Sequence, residues 1–486
     1  MDKTLTCNAR NYQALAKTGE LVKFGFEKEF TKTESNAKDH SVMENRDDHK
    51  EKADNVGKQA LSGNKNNDKL LASSIQGKLR KESPLLDQTC IYRVPHKLVR
   101  HNEEAFVPSL VSIGQFHHGE KKLQAMEEMK LWYLHGLIER KPNQNSSLET
   151  FVATIRSMEQ FCRDCYDEKF DNLSSDRFVE MMVVDGCFII ELFRRPRLRY
   201  SDHDPIFKTP WMLSTIRDDL LLLENQLPWK VAACLFDLIK EENEDLQQFA
   251  AGFATWFSEN VFGISVSVPV RDISSERHFL DIARGYALGQ PSREDRFYFY
   301  HPIPSVTELL EIGVDFERTL NFTKPDLLDI TFENGLMRIP PLCIGENGER
   351  FVRNLIAYEL CVPHHANYYA TSYAKLFSCL IKSTKDAEFL MAKGIIETQL
   401  SKEDIACFFT RVCKDIEIEG GLLYFAGLTF SVSMYCERRW LRSWLTMIKR
   451  DYLYNPSSIW SVSSGVVVIL ILTITQTIYT VLSYYK

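Results

Sequence analysis

Between Thr31 and Leu70 the sequence has no aromatic residue, and between Tyr452 and Tyr485 it has no charged one. The first absence argues against a packed fold for that stretch. Sixteen charged residues, eight of each sign, stand against only eight apolar ones, so burial cannot offset the conformational entropy of ordering them. An excess of basic charge is also missing: 59 Lys and Arg against 66 Asp and Glu give a net charge of −7, which is not the composition of a dedicated nucleic-acid binder. With 44% hydrophobic residues and a mean hydropathy of −0.24, the chain has enough apolar residues for a large core but not the apolar excess of a multi-spanning membrane protein. No period of about 20 to 50 residues recurs, which excludes a solenoid or a propeller. Met1 to Arg10 is polar and no apolar run of signal length follows, so no cleavable secretory signal is expected.

The second absence carries a positive expectation. The run from Tyr452 to Tyr485 is 34 residues long, and its apolar centre includes Gly465, Val466, Ile469, Ile471, Ile478 and Val481. About 20 such residues are needed to cross a bilayer core as a helix. Trp460 at one edge and Tyr484 at the other are the kind of amphipathic ring found at interfaces. The preceding segment carries Arg438, Arg439, Arg442, Lys449 and Arg450, with only Lys486 beyond the run. By the positive-inside rule, the expectation is a tail-anchored, single-pass protein with a cytosolic N-terminal body. The plasma membrane is favoured over the endoplasmic reticulum.

From about Thr89 to Tyr435 the pattern is mainly helical. Leu123 to Arg140 places apolar residues at helical spacing and stops at Lys141-Pro142, and Ser147 to Tyr166 repeats the pattern. Phe178 to Phe193 and Trp211 to Leu227 are apolar almost all round, which predicts two central helices, the second ended by Pro228. Asp329 to Pro340 alternates about Asn334-Gly335, the pair suited to a two-residue turn, and predicts a small β-hairpin.

Chemistry-bearing patterns are sparse. Walker A, Gly-x-Ser-x-Gly, dinucleotide-type glycine and His-Glu-x-x-His patterns are all missing. Cys162-Arg-Asp-Cys165 is the lone Cys-x-x-Cys. It has neither a second ligand pair for zinc nor a βαβ context for redox work, so no metal and no cofactor is expected. Two groups remain. His117-His118 lies in a Gly-bounded turn, and imidazoles there can act near neutral pH. Asp185 and Glu191 on one apolar helix, with Asp219 and Glu224 on the other, must be paired, hydrogen-bonded or neutralised. They can form an acid/base pair across a cleft, accept backbone amides, or pair with arginines such as Arg93, Arg194 or Arg217.

Several blocks, taken in order, resemble a known family. Ile91 to Pro95, Pro108 to Gly119, Met126-Glu127 with Lys130, Met182 to Glu191, Asp218 to Pro228, His278 to Asp281, Ile303 to Gly313, Asp329 to Phe332 and Ile339-Pro340 are similar to the plant-specific family called domain of unknown function 247. The resemblance covers about Thr89 to the C-terminus. It departs at Gln115, where the family often has proline. It implies a plant membrane protein, brings no established catalytic residues, and includes pollen determinants of self-incompatibility in grasses.

The resulting expectation is a mainly α protein: a mostly disordered polar arm at 1–88, a helical family domain at 89–435 with a hairpin near 329–340, a basic aromatic juxtamembrane segment at 436–458 and a single C-terminal transmembrane helix at 459–483. It would act by protein recognition or signalling, with the membrane and unidentified proteins, a second copy of itself included, as partners and no nucleic acid. The alternative is a membrane-anchored hydrolase or transferase using Asp185, Glu191, Asp219 or Glu224 with His117 or His118.

Overall fold

The computed structural model describes residues 67–79, 88–100, 102–140, 147–170, 173–195, 204–242, 244–261, 272–273, 275–288, 300–319, 327–362, 368–418, 423–448, 469–481 and 483. The chain divides into two compact units, Met1–Glu82 and Ser83–Lys486. In the first, the described residues form one exposed helix at 67–78. The rest of the arm expected at 1–88 lies almost wholly outside the described residues.

The second unit is built of helices. They are α1 (Gln124–Arg140), α2 (Leu148–Ser157), α3 (Glu159–Asp164), α4 (Ser175–Arg194), α5 (Pro210–Asp219), α6 (Trp229–Ile239) and α7 (Leu246–Val261). After them come α8 (Phe279–Leu288), α9 (Val306–Ile312), α10 (Gly348–Cys361), α11 (Tyr369–Leu380), α12 (Thr384–Ala392), α13 (Lys402–Val412) and α14 (Ala426–Ile448). Helix α4 is central because its sequence has no polar face: Phe178, Met182, Cys187, Phe188, Ile189 and Ile190 are all fully buried. It packs against α1, α2, α6 and α7. Burying each such large side chain contributes roughly 1.5–3 kcal/mol.

Two small sheets accompany the later helices. The first has the order β1 (Asp315–Arg318), β3 (Leu336–Ile339), β2 (Thr331–Glu333), with β1 parallel and β2 antiparallel to β3. The hairpin turns at Asn334 (φ 53°) and Gly335 (φ 87°), the two positive angles that an Asn-Gly pair accepts most readily. The second pairs β4 (Leu342–Ile344) with β5 (Ile396–Thr398) in parallel. Helices α9 and α12 open with capping boxes, Ser305 with Glu308 and Ser383 with Asp386.

Two expectations are corrected. The periodic leucines of Trp211 to Leu227 do not form one helix: α5 ends at Asp219, and Leu220 to Pro228 is a buried non-helical segment. Its Asn225 and Gln226 side chains take backbone bonds that a helix would have made internally. The Nδ2 of Asn225 donates to the Asp219 carbonyl, and the Nε2 of Gln226 donates to the carbonyls of Leu220 and Leu222. The expected C-terminal transmembrane helix is the second correction. Among the described residues no helix is long and apolar enough to cross a membrane. The residues described at 469–481 are helical and hold Ile469, Ile471, Ile478 and Val481, all exposed. The tail-anchored, single-pass topology falls with it. Trp460, Gly465, Val466 and Tyr484 lie outside the described residues, as do Lys449, Arg450 and the side chain of Arg442. Arg438 and Arg439 are exposed on α14.

Candidate functional site

The segment from Pro108 to Gly119 has little regular structure, and its backbone amides bond to acidic and amide side chains supplied from far along the chain. Asp219, at the end of α5, accepts from three successive amides: Ser109 at 2.9 Å, Leu110 at 2.7 Å and Val111 at 3.0 Å. The Arg350 guanidinium closes the set at 3.2 Å. Burial pushes the Asp219 carboxyl up, and the amides and Arg350 offset only part of this. Asn225 accepts from the amide of Ile113 at 2.7 Å and donates to the carbonyl of Val111 at 3.0 Å.

Asp185 serves the same segment from inside α4. It accepts from the Gly114 amide at 2.9 Å and from the fully buried ammonium of Lys130 at 2.5 Å. Lys130 also meets Glu127 at 2.6 Å and donates to the Ser112 carbonyl at 2.9 Å. Burial pushes the Lys130 ammonium down, but the two carboxylates more than offset this and hold it above the usual lysine value. At the other end of α4, Glu191 receives both guanidinium arms of Arg140, at 3.0 and 2.7 Å, with Arg194 at 3.6 Å.

Glu224 and the histidine turn meet at a less buried edge. Glu224 accepts from Arg93 at 2.6 Å and from the Val94 amide at 2.7 Å. Arg93 lies over the Phe116 ring. His117 Nδ1 stands 2.6 Å from Glu120, while its Nε2 has no hydrogen-bond partner and lies 3.6 Å from Glu224. Burial raises the Glu120 carboxyl, but the bond to His117 together with the charges of His117 and Lys122 outweighs this and holds it below its ordinary value. His118 is half-buried, and its Nδ1 has no hydrogen-bond partner.

Of the six residues singled out from the sequence, only His117 and Glu224 therefore approach one another. Asp185, Glu191 and Asp219 each bind their own partners. Of the arginines named from the sequence, Arg93 pairs with Glu224, Arg194 lies near Glu191, and Arg217 lies over the Trp256 ring. Cys162 and Cys165 are buried thiols, and burial pushes Cys162 up to about 12. Among the described residues no group of three or more His, Cys, Asp or Glu is placed to hold a metal ion.

Lys130, Asn225 and Gln226 lie in or beside the blocks that carry the family resemblance, but sequence reasoning gave them no role as buried polar partners. It also missed a cavity of about 200 Å³ at the C-terminal end of α4, lined by Phe193, Phe207, Phe236, Phe249 and Trp256 with Arg194 among them. The signal was present in α7 as aromatics at helical spacing, Phe249, Phe253, Trp256 and Phe257.

Comparison with known proteins places this arrangement in a family context. A family model described as "Plant protein of unknown function", domain of unknown function 247, matches residues 91–472. UPF0481 protein At3g47200 of Arabidopsis thaliana is 28% identical over 431 residues, covering 83% of this chain and 88% of the relative. Putative UPF0481 protein At3g02645 of the same plant is 22% identical over 422 residues, covering 65% and 76%. No solved structure matches.

Proposed function

The chain belongs to this plant family of domain-of-unknown-function-247 proteins, and from that premise we propose that it acts by protein recognition, in signalling, without turnover of its own. One observation carries the reading: the carboxylates best suited to acid/base work are committed to fixed structural partners. Asp219 holds three amides and an arginine, Asp185 a buried ammonium and an amide, and Glu191 a two-armed guanidinium. A group that must exchange protons needs an open position, and these have given theirs to the fold. Trp211 at 61% exposure and Trp132 at 45% supply the kind of aromatic anchor that concentrates binding energy at protein interfaces. Proximity labelling in plant tissue, comparing the natural chain with Trp211→Ala, tests this. A discrete set of neighbours lost in the variant is expected, and identical sets would contradict the choice of that face.

A second reading has its own support in His117. An imidazole with one nitrogen on a carboxylate and the other without a hydrogen bond is the arrangement of a general base. The Cys361 thiol, which feels the charge of Glu224, is not an activated nucleophile for it: the thiol is pushed up to about 12, chiefly by burial. Recognition is therefore the better-supported reading.

A further inference from the structure

We propose that Cys90 and Cys165 form a reversible disulfide that locks the start of the helical unit onto the end of α3. This inference is independent of the protein-recognition reading, and each stands if the other fails. The sequence places Cys165 in a Cys-x-x-Cys with Cys162, but the backbone gives it a different neighbour. Ile91 pairs in parallel with Tyr166: its amide donates to the Cys165 carbonyl at 2.9 Å, and its carbonyl accepts from the Asp167 amide at 3.1 Å. Cys90 and Cys165, each one residue earlier, are therefore lateral neighbours, and the Cys90 amide also donates to the Cys165 carbonyl at 2.9 Å. Parallel neighbours stand about 4.8 Å apart, inside the roughly 4.4–6.8 Å between α-carbons that a disulfide spans. Cys162 and Cys165 are instead held three residues apart at the end of α3 by amide bonds to Met158 and Phe161. That spacing leaves β-carbons about 5–6 Å apart, beyond the ~3.5–4.5 Å that a disulfide accepts.

The side chains agree with the backbone. Both are free thiols, at 2% and 1% exposure, and they touch: a side-chain hydrogen bond with Cys165, and then burial, hold the Cys90 thiol well above its ordinary value. Burial of this depth excludes a bulky oxidant and admits one near the size of water during local opening, and hydrogen peroxide is of that class. One sulfur attacks a peroxide oxygen, the O–O bond breaks, and a sulfenic acid and a water form. The other sulfur attacks the sulfenic sulfur, closes the S–S bond and releases a second water. The two thiols give up two electrons and two protons, and both peroxide oxygens leave as water. The bond closes a loop that contains α1, α2 and most of α3, and a cross-link over a long loop restricts mainly the unfolded chain. It also fixes the block whose Arg93 and Val94 hold Glu224.

Disulfide mapping of the full chain tests the pairing. The protein is treated with hydrogen peroxide, denatured in N-ethylmaleimide and digested with trypsin without reductant; cleavage after Arg163 separates Cys162 from Cys165. The peptide holding Cys90 should be joined to the peptide holding Cys165, Cys162 should be alkylated, and dithiothreitol should part the joined pair. The oxidised chain should unfold at a higher urea concentration than the reduced chain, and dithiothreitol should erase that shift. Cys90→Ala should abolish both the joined peptides and the shift, whereas Cys162→Ala should keep them. The mapping uses the natural chain, so it decides the matter even where a variant does not fold. A Cys162–Cys165 bond, Cys90 recovered as an alkylated thiol after oxidation, or a Cys90–Cys165 bond that leaves the urea midpoint unchanged would overturn the proposal.

Discussion

His278 shows how one side chain couples two distant segments. Its Nδ1 accepts from the Asp281 amide at 3.1 Å, and its Nε2 lies 3.1 Å from the Cys90 carbonyl, so the neutral ring carries its proton on Nε2. Complete burial pulls it down from 6.5 to about 4, the charge of Asp281 offsetting only part. Between those values the unfolded chain binds a proton that the folded chain refuses. Stability therefore falls as pH drops from 6.5 toward 4, by about 3 kcal/mol in all. Asp218 works in the opposite sense: burial raises it to about 6, and the folded chain keeps a proton there that the unfolded chain loses. The clean reading is thus a difference between proteins. Urea unfolding of His278→Asn, which keeps a side chain able to cap Asp281, should show a flatter pH dependence than the natural chain across this window. Parallel curves would show that His278 is not the proton-refusing group.

At the scale of elements, the segment from Pro108 to Gly119 depends on one backbone position. Gly114 has φ 73°, and a methyl added there would lie 2.2 Å from the Gln226 carbonyl oxygen and 2.4 Å from the Tyr166 hydroxyl. Gly119 has φ 83° but nothing within 4 Å of that position. Gly119→Ala should cost only the left-handed conformation, about 1–2 kcal/mol, whereas Gly114→Ala should cost ~3 kcal/mol or more because backbone must also move. Thermal or urea unfolding of the pair checks the ranking, and equal losses would mean that the segment is not packed as described. The same scale explains what the sequence made legible. Asn334-Gly335 announced its hairpin because the turn is a local demand, and α4 was readable from its unbroken apolar run. Leu220 to Pro228 misled because leucine spacing says nothing about Asn225 and Gln226 taking over the backbone's bonds. The apolar run near the C-terminus set an expectation of a membrane-spanning helix, whereas among the described residues no helix is long and apolar enough to cross a membrane.

Across the molecule, the blocks that carry the family resemblance bind one another. Ile91 to Pro95 reaches Glu224, Pro108 to Gly119 reaches Asp219, Asn225 and Asp185, and the Leu280 amide reaches Gln226 at 3.0 Å. The need for partners was readable from apolar surroundings alone, but their identity was not, because Asp219 and its amides are separated by about 110 residues. The central claim is that these carboxylates hold the fold. It is tested most directly by urea unfolding of Glu191→Gln, Asp219→Asn and Glu224→Gln. A structural acceptor turned into an amide leaves an arginine or backbone donors poorly paired, so each variant should lose about 1–3 kcal/mol. Catalytic carboxylates behave in the opposite way, and their replacement commonly leaves stability unchanged or raises it. Unchanged or increased stability in all three variants would contradict the account.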